Sequence, residues 1–250
     1  MNKLRITIMF LLIVAAASLF SGQAFADTLE LPGIPTSDEP GDVGSTISIL
    51  VLLTLLSLAP SIVILMTSFT RIIIVLGFVR TALATQQMPP NQVLIGLALF
   101  MTLFIMAPTI TEINETALQP YLAGEIEQQV AIDLSVLPMK KFMAKHTREK
   151  DLLLFLNYSK AERPSGYADI PLTTLVPAYA ISELKTAFQM GFMIFIPFLV
   201  IDMVVSSVLM AMGMMMLPPV MISLPFKILL FILVDGWYLV VKSLLLSYGT

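Results

Sequence analysis

Long apolar runs alternate with short polar interruptions along this 250-residue chain, and their lengths decide what each run can be. The first, Ile6 to Phe20, follows Lys3 and Arg5 and precedes the small-residue triplet Ala24-Phe25-Ala26. A basic start, a short apolar segment and small residues at the exit predict a cleavable leader over 1–26, with the mature chain starting at Asp27. An uncleaved anchor is the alternative, although the run is shorter than the ~20 residues that span a bilayer. Residues 27–45 carry Pro32, Pro35, Pro40, Gly33, Gly41 and Gly44 among acids, which predicts an extended lead-in.

Thr46 to Phe69 is long enough to span, with Pro60 predicted to kink it. Val93 to Ile110 follows the turn Met88-Pro89-Pro90-Asn91, so residues 46–111 read as a first helical hairpin. Phe188 to Met216 and Val220 to Val241 flank Leu217-Pro218-Pro219 and read as a second hairpin over 188–241, followed by a C-terminal tail, 242–250. Between the hairpins, residues 112–187 intersperse acids and bases. There Val136, Leu137, Met139, Phe142 and Met143 recur near helical spacing, which predicts a water-facing insert of short amphipathic helices. The first connection carries Arg71 and Arg80 and no acid, so the positive-inside rule places it in the cytoplasm and the insert on the periplasmic side of a bacterial inner membrane. The expected fold class is all-α, membrane-inserted helical hairpins with a periplasmic-side helical insert.

Composition reinforces this picture and removes alternatives. Apolar residues make up 57% of the chain and charged ones 12%, and the mean hydropathy is +0.91, outside the range of ordinary soluble domains. With no cysteine and one histidine, His146, neither a thiolate nor a multi-histidine metal site is available, and no metal or cofactor is expected. A net charge of −3 with scattered bases argues against a nucleic-acid partner. The zinc-protease, nucleophile-elbow and phosphate-loop motifs are all missing. An aspartyl dyad of Asp202 and Asp235 would need a shared proton, which a nearby Lys227 disfavours, so no enzymatic activity is expected.

Charges within apolar runs cost ~2.5 to 3.5 kcal/mol each on insertion scales, and so mark assembly or transport sites. Counted from a turn centred near Met216, Asp202 and Lys227 differ in depth by about one helical turn, within reach of a lysine stem. They can neutralise one another within the hairpin or meet other subunits. Asp235, about 80° around the same helix from Lys227, can meet a charge on a neighbouring subunit. Arg71 and Arg80 fall on opposite helix faces, suited to snorkelling or to separate subunit contacts. At the second turn, Met210, Met212, Met214, Met215 and Met216 crowd around Gly213. Unbranched, polarizable side chains suit a compliant apolar seal, although methionine also serves as ordinary core or lipid-facing filler. From the residues alone, a small self-sufficient ion or proton channel using buried Asp and Lys is the rival reading.

Four segments carry a resemblance to a known family: Thr67 to Leu76 (TSFTRIIIVL), Gln86 to Val93 (QQMPPNQV), Pro177 to Phe188 (PAYAISELKTAF), and Asp202 to Ser207 continuing to Met214–Pro219 (MMMLPP). They are collinear over roughly residues 45–245 and resemble the FliP family of flagellar type III export-gate subunits. The resemblance implies a non-enzymatic subunit present in five copies with FliQ and FliR. It also implies neighbours such as FlhB and FlhA in the flagellar basal body, and passage of unfolded flagellar subunits through the assembly. It further implies that the five methionines form a gasket and that Arg71, Asp202, Lys227 and Asp235 lie at subunit contacts.

Overall fold

The computed structural model describes residues 40–85, 87–159, 164–214 and 217–249; the leader, the lead-in up to residue 39, Met215 and Met216 lie outside them. Among the described residues there are helices and no strands. The chain divides into two units, Met1–Leu58 and Ala59–Thr250. In the first, the described backbone is the opening part of helix α1 (Pro40–Met66), whose Leu50, Val51, Leu52, Leu53 and Leu56 are exposed.

In the second unit the expected first hairpin takes a different form. The helix does not run on through Phe69: it ends at Met66, and α2 (Phe69–Ala82) starts after Thr67-Ser68. Pro60 sits inside α1, which continues past it. Along α2 the buried residues are Arg71, Ile72, Val75, Leu76, Val79 and Ala82, a single stripe at helical spacing. Ala84, in the left-handed region at φ 55°, marks the end of this segment, and Pro90 precedes α3 (Asn91–Ile113). Helix α3 buries Leu94, Ala98, Met101, Ile105 and Thr109 on one face and exposes Phe100, Leu103 and Phe104 on the other. It packs on α2.

A π-helical turn (Asn114–Leu118) and the short α4 (Gln119–Leu122) extend α3 into the polar region. There α5 (Gln128–His146) and α6 (Glu149–Ser159) follow, α5 burying Pro138 and Met143 and α6 burying Asp151 and Leu156. A 3-10 turn (Tyr167–Asp169) leads to α7 (Leu172–Ala211), 40 residues long and therefore about 60 Å at 1.5 Å per residue. Because α7 starts at Leu172, the insert's last segment and the next apolar run are one helix, with no break at the boundary expected at 187. The apolar sequence after Pro218 is in turn two helices, α8 (Pro219–Leu233) and α9 (Gly236–Leu246), bent by 62°. Asp235 occupies the left-handed region at φ 51°, and Gly236 follows because a Cβ there would stand 2.2 Å from the Phe231 ring.

Two apolar clusters hold this unit together. The larger gathers Ile72, Val75, Leu76 and Val79 of α2, Leu94, Ala98 and Ile105 of α3, Ala187 and Phe198 of α7, Phe231 of α8, and Val240, Leu244 and Tyr248 from the end of the chain. The smaller unites Met143 of α5 with Ile170 and with Leu175 and Tyr179 of α7. By length and apolarity Asn91–Leu122 and Leu172–Ala211 can each cross a membrane, and the bent pair α8–α9 can serve as a third, broken span. Only 11% of the most apolar stretch of α7 is buried within the chain, so most of that surface awaits lipid or other chains.

Candidate functional site

The polar groups of the apolar helices gather at two levels along α7, and the methionine turn at its end forms a third level. Near its polar end, Glu183 is fully buried and pairs with Arg71 of α2. The Arg71 Nε donates to Glu183 Oε2 at 2.8 Å, and a second guanidinium nitrogen completes a bidentate fork. The remaining terminal nitrogen donates to the Ser247 carbonyl at 3.1 Å and to its hydroxyl at 2.9 Å. Tyr248 donates its hydroxyl to the same carboxylate and offers its ring face to the guanidinium, 3.9 Å from the centroid. Tyr179, four residues before Glu183, donates to the Thr67 carbonyl at the α1–α2 break. Burial, followed by the Glu183 carboxylate, pushes the Tyr248 phenol well above its ordinary range, so it serves as a donor.

His146 closes this level, with its ring 4.9 Å from that of Tyr248 and 5.0 Å from that of Phe142. Burial first, then the charges of Arg71 and Lys145, bring its pKa down to about 4. The imidazole is therefore neutral near pH 7. Nearby, Asp151 forms an ion pair with Arg148 and accepts from Ser182 at 2.7 Å. Burial raises its pKa, but these hydrogen bonds outweigh it and hold the carboxyl below its ordinary value.

The second level lies deeper in the apolar region, where Asp202 of α7 meets α8. Lys227 Nζ donates to Asp202 Oδ2 at 2.6 Å, and Ser223 donates to Oδ1 at 2.5 Å. Ser223 and Lys227 are four apart on α8, so both reach one carboxylate. Lys227 is almost wholly buried, while a quarter of the Asp202 side chain remains accessible. Of the two arrangements open from the sequence, the structure contains the pair within the chain.

The third level is the turn after α7. Gly213, at φ 74°, donates to the Met210 carbonyl and Met214 to that of Leu209, a Schellman closure that needs a left-handed residue where glycine stands. Met210, Met212 and Met214 all point outward, with Met212 two-thirds exposed. Met212 also lines a groove of about 580 Å³ with Val204, Val205, Val208, Ile222 and Phe226. Pro218 and Pro219 start α8, where a missing N–H costs nothing, as Pro90 does before α3, with Pro89 preceding it.

The expected site residues are thus distributed rather than assembled into one centre. Arg71 and Lys227 are buried, Arg80 is half-buried and donates to Asn91, and Asp235 is exposed at the α8–α9 break. Glu183, Ser223, Tyr179 and Tyr248 were not singled out from the sequence. The Ser-x-x-x-Lys spacing of 223 and 227 and an acid just before the apolar run of α7 are the signals that mark two of them. Among the described residues no cluster of acids and histidine could hold a metal ion.

These features define an all-helical protein with apolar helices of membrane-crossing length, whose internal charges are mostly matched inside the chain. The FliP family profile matches residues 52–244. The chain is 68% identical over 219 residues to the flagellar biosynthetic protein FliP of Bacillus subtilis strain 168, covering 88% of this chain and 99% of that protein. Identity is 47% over 240 residues to the protein of the same name from Aquifex aeolicus, covering 95% and 97% of the two chains. For that of Cereibacter sphaeroides it is 50% over 240 residues, covering 94% and 80%. The chain belongs to the FliP family.

Proposed function

We propose that this chain is a core subunit of the flagellar type III protein export gate, built from several copies, five by the family's pattern, together with FliQ and FliR. Unfolded flagellar subunits pass through the assembly, which sits in the inner membrane at the flagellar basal body beside components such as FlhA and FlhB. The observation that carries the proposal beyond family membership is the exposed apolar surface of α7 and its turn, where Met210, Met212 and Met214 face outward. Such a surface is unsuited to a chain that works alone. Copies arranged about an axis would bring these methionines into a ring, with Met215 and Met216 completing a pliable seal that yields to a passing chain. Arg71 and Lys227 hold the subunit's own shape, which leaves Arg80 and Asp235 as the charges offered to neighbours. The self-sufficient channel fares worse, because its path would have to run through an Asp202 that already holds Ser223 and Lys227.

Purification in mild detergent tests the assembly. A single complex containing FliQ- and FliR-like chains and several copies of this one is expected, whereas a stable monomer would refute the proposal. For the seal, replacing Met212, Met214, Met215 and Met216 together by Ala should raise ion leakage across the inner membrane while the complex still forms. Unchanged conductance would count against a gasket.

A further inference from the structure

Among the charges set deep in the apolar helices, Arg71 is held by Glu183 and Lys227 by Asp202. Arg80 and Asp235 find no opposite charge within the chain. Arg80, half-buried at the end of α2, donates through Nη1 to the neutral side-chain carbonyl of Asn91 at the start of α3. Its Nε and Nη2 meet no acceptor among the described residues, so its charge is unmatched. Asp235 is exposed at the corner between α8 and α9, and its carboxylate neither caps α9 nor meets a cation among the described residues. The other cation of α9, Lys242, lies seven residues and about 10 Å further along, nearer the polar end, with its ammonium over the Tyr238 ring.

The register of α7 puts these two charges at one level. Along α2, Arg71 meets Glu183 and Phe78 meets Gly191, so the helices run in parallel and Arg80, two residues on, comes alongside Met193. Helix α8 runs the other way: Asp202 meets Lys227, and the ring of Phe198 lies 6.3 Å from that of Phe231. Val234 and Gly236 then line one cavity with Ile194 and Pro197. Asp235, between Val234 and Gly236, therefore stands level with Ile194 to Pro197. The two charges differ in depth by no more than about 6 Å at 1.5 Å per residue. Exposed apolar side chains flank each of them, Ile232, Leu233 and Tyr238 near Asp235, and Met88, Val93 and Ile95 near Arg80 and Asn91. Surface of this kind is covered in a working assembly, and an ion left unpaired beneath such a cover is costly.

We propose that Arg80 of one copy pairs with Asp235 of the next, a head-to-tail contact between identical chains. Each copy gives its Arg80 to one neighbour and its Asp235 to the other, so a closed ring satisfies every charge. A second copy fits as the partner because one chain supplies one unmatched cation and one unmatched anion at equal depth. Rotation about an axis roughly along α7 keeps that depth, and the two charges meet in register. Arg80 is prepared for the role: Asn91 holds Nη1, and the free edge, Nε and Nη2, is the fork that grips a carboxylate with two bonds. The inference rests on reading the chain as one of several copies in the export gate.

The chain has no cysteine, so introduced thiols report on this contact alone. Chains carrying Arg80→Cys and chains carrying Asp235→Cys are expressed together, the complex is extracted in mild detergent, and a short bis-maleimide is added. Mixed complexes should yield covalent dimers, either variant by itself should yield none, and Arg80→Cys/Asp235→Cys should give a ladder of linked copies. Linking within one chain, linking between identical single variants, or no linking in an intact complex overturns the pairing. Charge reversal reads the same contact independently. Arg80→Glu and Asp235→Arg should each lower the yield of assembled complex roughly tenfold or more, and Arg80→Glu/Asp235→Arg should restore most of it. Asn91→Ala, which leaves both charges in place, should assemble normally. A double reversal no better than the single ones, or an equal loss in Asn91→Ala, overturns the contact. Helix content of each variant, measured by circular dichroism, separates loss of the contact from loss of the fold. A chain that purifies only as a monomer would refute the export-gate reading itself, whereas an intact multi-chain complex without the cross-link would refute this pairing and leave that reading standing.

Discussion

Glu183 shows how a charge is kept in an apolar setting: its carboxylate takes two bonds from Arg71 and one from Tyr248, and none of it is exposed. Removing only the cation strands a buried anion, so Arg71→Ala should cost about 3 to 5 kcal/mol in chemical or thermal unfolding of the detergent-solubilised protein. Arg71→Met/Glu183→Met should recover much of that loss, because no unpaired charge remains. Tyr248→Phe, which keeps the ring under the guanidinium and deletes only a bond to a charged acceptor, should cost roughly 1.5 to 3 kcal/mol. Equal losses for Arg71→Ala and the paired variant would contradict this account. Arg71 was visible in the sequence as a charge in an apolar run, but its partner lies 112 residues away. No local spacing connects them.

Between elements, α2 and α7 approach each other closely at Gly191. A Cβ there would stand 2.4 Å from Cγ and Cδ2 of Phe78 and 2.9 Å from its Cβ, so the ring cannot evade it by swinging its far end. Phe78 also meets Phe188 edge to face at 5.4 Å. Gly191→Ala should therefore destabilise by about 1 to 3 kcal/mol despite alanine's better helix propensity. Adding Phe78→Leu should make the same alanine less costly; if it makes no difference, the contact does not set the helix spacing. The helix boundaries teach a related lesson. Periodicity and proline pairs located the turns at 88–91 and 217–219, but the breaks at Thr67-Ser68 and Asp235 have no proline to announce them. Asp235 looked like an intramembrane helical charge. Its left-handed backbone and the Phe231 ring pressed on Gly236 turn it into the corner between two helices.

Across the whole second unit, one end collects almost all the ionisable chemistry: the Arg71 network, His146, the Asp151 pair and the lysines of α5 to α7. His146 makes this end sensitive to acid. Its imidazole titrates near 6.5 when unfolded and at about 4 when folded, so the unfolded chain binds the additional proton between those values. The contribution to stability is complete above pH 6.5 and is lost as pH falls towards 4. Unfolding followed through Trp237 fluorescence should show wild type losing more stability than His146→Gln over that window, and parallel pH profiles would refute the assignment. Part of the ring remains accessible, which keeps the effect modest.

The sequence by itself determined the helical class, the apolar runs, the polar insert, the two proline-marked turns and the methionine cluster, because these depend on period, length and residue type within a short window. It also contained enough family-specific residues to point to FliP. Only the tertiary structure decided which charges are matched within the chain, that the run after Pro218 bends into two helices, and that α7 is one helix from the polar region to the methionine turn. Those outcomes depend on residues distant in sequence meeting in a medium too apolar to leave a charge unpaired.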